Sequence, residues 1–185
     1  MLPELLQKTS LFHLLFRIDT DLSERERQKG CPYCSGRLDK AYYERKTRGG
    51  PREVPDEYAV RQSLCCSRGD CRRRALPPSC LFMGRRVYWG SVILVVMALR
   101  QNRPQGASTK MLMEMFELSR ETLLRWIAYF REEFPVSAQW QRIRGRVSPL
   151  VRDSELPGGL LDYFIDHADS AEQGLVNCLR FLAEG

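Results

Sequence analysis

Two cysteine pairs constrain this chain more than any other feature. Cys31-Pro32-Tyr33-Cys34 is one pair, and Cys66-x4-Cys71 follows after an insert of 31 residues. Two residues between thiolates let both sulfurs reach one tetrahedral ion, while amides of the same turn donate to them. Two such knuckles around a hairpin-sized insert spell a zinc ribbon over residues 31–80. So short a segment cannot build a sufficient core alone, and Zn²⁺ supplies the missing folding energy. Cys65 competes with Cys66 for the fourth ligand position. Adjacent strand residues point to opposite faces, so only one of the two meets the metal. The shorter spacing to Cys71 favours Cys66.

Cysteine usage bears on compartment. Seven Cys is an odd count, which argues against a complete disulfide framework. The N-terminus has no leader pattern: Glu4 precedes the first Lys, and the apolar run at 11–16 is short and broken by His13. Paired Cys in a reducing cytoplasm are metal ligands. A bacterial cytoplasmic, nucleoid-associated protein is expected. The uncharged stretch 87–99 would cover only ~20 Å as a helix, against ~30 Å of bilayer hydrocarbon, so it predicts a buried helix and no membrane role.

The charge is unevenly placed. Residues 31–104 hold 15 basic and 6 acidic side chains, while residues 147–185 hold 2 and 7. A basic middle with an acidic tail suits a polyanion-binding body carrying a separate contact segment. Arg72-Arg73-Arg74 directly follows the last metal ligand. A row of guanidinium groups on a metal-stiffened element suits backbone phosphates.

Periodicity divides the rest. Residues 2–28 read as helical, with Ser23-x-x-Glu26 as a capping box, and Gly30 ends the segment. Tyr42-Tyr43 and 58–64 are strand candidates, separated by a Gly/Pro loop. Helical patterning returns at 88–101, breaks at 102–106, and resumes at 108–116 and 119–134. In the last two, Leu112, Phe116, Leu118, Leu123, Trp126, Ile127 and Phe130 form the apolar layout of a helix-turn-helix. Ser119 caps its second helix. Such a helix enters the major groove by its N-terminal residues. Arg120, Glu121, Leu124 and Arg125 are therefore the exposed candidates, with Lys110 on the helix before. Arg reads guanine and Glu accepts from cytosine. Residues 142–146 form a basic stretch, and two short acidic-faced helices close the chain at 160–168 and 174–183. The fold expected is α+β but mostly α. It comprises an N-terminal helical segment (1–30), a small four-cysteine zinc ribbon (31–80), a three-helix helix-turn-helix domain (81–135), and a basic linker with acidic C-terminal helices (136–185).

Taken together, the Cys-Pro-x-Cys knuckle, the second Cys pair with its Arg row and Leu76-Pro77-Pro78, the apolar helix and the helix-turn-helix resemble a known arrangement. It is similar to the DNA-binding region of zinc-ribbon insertion-sequence transposases, and to small uncharacterised proteins of mobile elements. The resemblance spans residues 31–134. It implies that Cys31, Cys34, Cys66 and Cys71 hold zinc and that Arg120, Glu121 and Arg125 lie on a DNA face. Those transposases continue into a nuclease domain bearing three metal-binding carboxylates. Here about fifty residues follow Phe134 with no strand-rich stretch, so no catalytic residue is assigned and no enzyme is expected. The expected function is sequence-preferring double-stranded DNA binding of mobile-element type, as accessory factor, regulator or truncated transposase. A transposase or integrase would be the partner of the acidic C-terminal helices. The alternative is a zinc-stabilised protein-interaction adaptor that does not bind DNA.

Overall fold

The computed structural model describes residues 2–51, 54–84, 86–101 and 109–185. The expected break at 102–106 and the start of a helix at Ser108 lie outside these. The fold is α+β and mostly helical, as the patterning indicates. A short helix α1 (Leu2–Leu5) leads into the long α2 (Thr9–Lys29), which ends at Gly30 with φ +79°. That conformation is open to glycine at little steric cost. Ser23 sits buried inside α2, so the capping box at Ser23-x-x-Glu26 is not formed. The helix simply runs through it, because Leu11, Phe12 and Leu15 fasten its first half to the core.

Two small sheets follow. Strands β1 (Leu38–Lys40), β4 (Leu64–Cys66) and β5 (Arg74–Ala75) form an antiparallel sheet in the order β1-β4-β5, with Leu38 opposite Cys66 and Cys65 opposite Arg74. Strands β2 (Tyr43–Glu44) and β3 (Val60–Arg61) pair separately, with Tyr43 opposite Arg61. The strand expected over 58–64 is thus divided. Asp56–Ala59 is a 3-10 turn that turns Tyr58 inward to meet His13, whose Nδ1 lies 2.7 Å from the Tyr58 hydroxyl. Leu38, Leu64, Cys31 and Cys66 make a small core of their own beneath the first sheet.

The second core is larger and unites the chain from Leu6 to Leu182. At its centre lies α3 (Gly90–Gln101), buried without interruption from Gly90 to Ala98. A helix apolar on every side must be surrounded. Its neighbours include α5 (Arg120–Ala128), α7 (Gly158–Asp166) and α8 (Ala171–Glu184). In the last pair, a Cβ on Gly174 would stand 2.6 Å from the Ile165 Cα, so α7 and α8 approach as closely as they do only with glycine there. Between α5 and α7 in sequence comes α6 (Ala138–Ile143), which packs on α8 and which the apolar pattern does not reveal. Trp140 anchors it, its Nε1 donating to Asp153 Oδ1 at 2.7 Å.

One buried acid ties α2 to the strand-to-helix connection. Asp19 accepts from the Ser79 hydroxyl and, at 2.6 Å, from the Cys80 N–H. Burial outweighs these bonds and the nearby Arg61, raising the carboxyl to about 6. The folded state therefore holds this proton more tightly than the unfolded chain does, and the carboxylate's contribution to stability falls as pH rises from about 4 to about 6. A shift from 3.8 to about 6 corresponds to about 3 kcal/mol. The expected result is that Asp19→Asn gains about 2 kcal/mol relative to wild type between pH 4 and pH 6.5, the larger part of that total. Paired urea titrations at each pH check this, since the difference between the two proteins cancels the other titrating groups. A constant difference would mean that Asp19 titrates normally.

Candidate metal centre and polar helix face

The Sγ atoms of Cys31, Cys34, Cys66 and Cys71 all lie within 4.8 Å of one another and can hold a metal ion. Cys31 and Cys71 are 3.8 Å apart, and Cys34 and Cys66 are 3.5 Å apart. The local folds repeat. Each sulfur accepts a backbone N–H from two residues on: Cys31 from Tyr33, Cys34 from Gly36, Cys66 from Arg68 and Cys71 from Arg73. Such donors compensate thiolate charge. Both knuckles then turn through the left-handed region, at Ser35 (φ 55°) and Arg72 (φ 47°).

Cys31 also accepts from the Cys34 N–H. The Tyr33 N–H contributes most, and against burial the thiol comes down to about 7. The other three each gain from their amide, yet burial and the shared thiol contacts hold them above the ordinary thiol range.

The competition between Cys65 and Cys66 is resolved by strand alternation. Cys66 is buried and faces Cys31, Cys34 and Cys71, while Cys65 points away, its Sγ 3.5 Å from the Arg72 carbonyl. Cys80 and Cys178 are buried in the large core, well apart from this cluster.

Arg72, Arg73 and Arg74 are exposed, and none is ion-paired among the described residues. Arg73 lies over the exposed Tyr33 ring at 4.4 Å, and Arg74 reaches the Ser63 hydroxyl at 3.4 Å. Arg74 opens β5, and Arg72 and Arg73 lead into it from the second cysteine knuckle.

Helices α4 (Thr109–Met115) and α5 are joined through Phe116–Ser119. Glu117 adopts φ 50°, reversing the chain where glycine is the usual residue. Its carbonyl accepts from the Tyr88 hydroxyl at 2.9 Å. Leu112, Phe116, Leu118, Leu123, Trp126 and Phe130 are all buried. The Ser119 hydroxyl caps α5 by accepting from the Thr122 N–H at 3.2 Å. Beyond Ala128 the helix widens into a π turn over Tyr129–Glu133. Arg120, Glu121, Leu124 and Arg125 remain exposed, with Leu124 at 53%. The Glu121 carboxyl lies below its usual range because its own N–H and the Ser119 hydroxyl donate to it. Lys110 is exposed on α4, 3.9 Å from Glu114.

The basic stretch at 142–146 is turned toward the acidic end of the chain. Arg144 pairs with Asp153 at 3.3 Å, and Arg146 pairs with Glu184 at 3.7 Å while covering the Phe181 ring. Arg142 donates to the Gly185 carbonyl. Sequence reasoning missed Arg86. Its guanidinium lies 3.8 Å from the Tyr129 ring centroid, which places a second basic group beside α5. The only signal was its place in a basic pair before an apolar helix. No helix among the described residues is long and apolar enough to cross a membrane. No family model, curated protein or solved structure matches this chain.

Proposed function

We propose that the chain is a zinc-bearing, sequence-preferring double-stranded DNA-binding protein of mobile-element type, accessory or regulatory in role. The zinc assignment rests on donor chemistry and on size. Four thiolates are a structural zinc set, and Zn–S bonds of about 2.3 Å give a tetrahedral edge of about 3.8 Å. Two of the six sulfur–sulfur edges, 3.8 and 3.5 Å, are close to this, and all lie within 4.8 Å.

The observation that carries the DNA reading is the outer face of α5. It is held by a capped N-terminus and a buried Leu123–Trp126 side, and it presents Arg120, Glu121 and Arg125 with Leu124 between them. A guanidinium and a carboxylate in the first turn can meet the guanine and cytosine edges of a major groove. The Arg row on the ribbon would supply affinity without sequence information, by displacing counterions from phosphates. A transposase or integrase acting on the same DNA remains the partner we propose for the acidic outer faces of α7 and α8.

The test is the salt dependence of binding to a random-sequence duplex. Replacing Arg72, Arg73 and Arg74 together by Ala should weaken binding almost equally on all sequences, and should reduce the magnitude of the log–log salt slope by up to about 2.7. A loss confined to one preferred sequence would contradict the phosphate role. A folded, metal-loaded wild type with no affinity for duplex DNA would return the chain to the adaptor reading.

A further inference from the structure

A groove of about 520 Å³ runs between residues 86–88 and α5, extending to Glu133 in the π turn. Arg86, Arg125 and Thr122 line it, and Glu133 is its only acidic side chain among the described residues. The two arginines come from separate parts of the chain, and each is already oriented. Tyr129 supports the Arg86 guanidinium from below at 3.8 Å, and the Thr122 hydroxyl holds Arg125 Nη2 at 3.1 Å. Neither is ion-paired to a carboxylate among the described residues.

The segment carrying Arg86 is itself fixed. The Arg45 side chain donates to the Arg86 carbonyl at 2.7 Å. Arg48 forms a parallel bridge with Tyr88, and the Tyr88 hydroxyl reaches the turn before α5. Holding guanidinium groups in place before binding reduces the side-chain entropy lost when an anion arrives.

We infer that this groove seats one or two backbone phosphates of the duplex whose bases α5 reads, with Arg86 and Arg125 as the contacts. The inference rests on the DNA-binding reading above and deepens it. Arg125 then positions the helix on the backbone, while Arg120 and Glu121 are left to face the bases. Arg86 joins the interface although it lies outside α4 and α5.

The experiment uses the full-length, metal-loaded chain and a random-sequence duplex, with affinity measured by fluorescence anisotropy across a salt series. Arg86→Gln and Arg125→Gln together should reduce the magnitude of the salt slope by about 0.9 if the two share one phosphate and by about 1.8 if each holds its own. The preference of the protein among selected sites should be unchanged. Arg86→Lys keeps the charge without the planar stacking, and should restore part of the slope. Arg17→Gln, at an exposed position of α2, should leave it as in the wild type.

Three outcomes would overturn the inference while the DNA-binding reading stands. One is a folded double variant with the wild-type slope. Another is an Arg125→Gln protein that keeps the slope but loses preference at a single base pair. The last is an Arg17→Gln protein with an equal loss. Absence of any duplex binding by the wild type would instead remove the reading on which the inference rests.

Discussion

The Cys66→Ser protein is expected to lose its metal and the order of its ribbon, while Cys65→Ser retains both. The two residues are neighbours of the same type, so composition and helix content barely change between the variants. What differs is the face of β4. Cys66 joins Cys31, Cys34 and Cys71, and Cys65 turns outward. The first sheet rests on the small cluster of Leu38, Leu64 and the metal-facing cysteines. So little apolar material contributes only a few kcal/mol at about 25 cal/mol per Å², whereas structural zinc sites supply about 10–16 kcal/mol of apparent binding free energy at neutral pH. Chelation of the wild type should therefore melt the first sheet and its knuckles, residues 31–40 and 64–75, before the helical core around α3, to which Tyr58 belongs. Metal content by atomic absorption, with amide exchange of the ribbon strands, checks both statements. Metal loss from Cys65→Ser and not from Cys66→Ser would reverse the ligand choice. An unchanged ribbon after chelation would mean that packing suffices.

Each feature that was legible in the sequence had a local signature. The first knuckle is a four-residue pattern. Alternation along β4 separates Cys66 from Cys65 by a rule of period two. The buried stripe of α5 follows from helical spacing. What was not legible depended on distant partners. Asp19 reads as one more polar residue on an amphipathic helix, until the Ser79–Cys80 turn folds over it. Tyr58 reads as a strand aromatic, but His13 draws it into the helical core. The C-terminal helices read as a separate acidic tail, yet they pack on α3, Glu184 at the end of α8 meets Arg146, and Asp153 in the turn before α7 meets Arg144. The Arg86 groove is the clearest case, because it exists only through the Arg48–Tyr88 bridge and the stacking on Tyr129.

Two residues six positions apart on α5 should fail in opposite ways. Trp126 is 3% exposed and meets the Tyr88 ring edge-on at 5.1 Å. Tyr88 in turn holds the Glu117 carbonyl, so the indole supports both the helix and the turn that leads into it. Trp126→Ala should lower the folding free energy by about 3–5 kcal/mol, the range for emptying a buried aromatic site. That is a large share of the roughly 5–15 kcal/mol a domain has in total, so binding should fall in step with the folded fraction. Trp126→Phe fills most of the volume and should recover most of the loss. Arg120 has no such role. It is exposed at the first position of α5 and pairs with no carboxylate among the described residues. Arg120→Ala should melt as the wild type does, yet lose about 1–3 kcal/mol of discrimination at one base pair if its contact is bidentate. Site selection from random duplexes, run beside thermal melts, separates the two effects. A stable Arg120→Ala protein that selects the wild-type site would take α5 out of the groove. A Trp126→Ala protein of wild-type stability would mean that the helix is held by Leu123 and Phe130 alone, and the turn at Glu117 would then need no support from Tyr88.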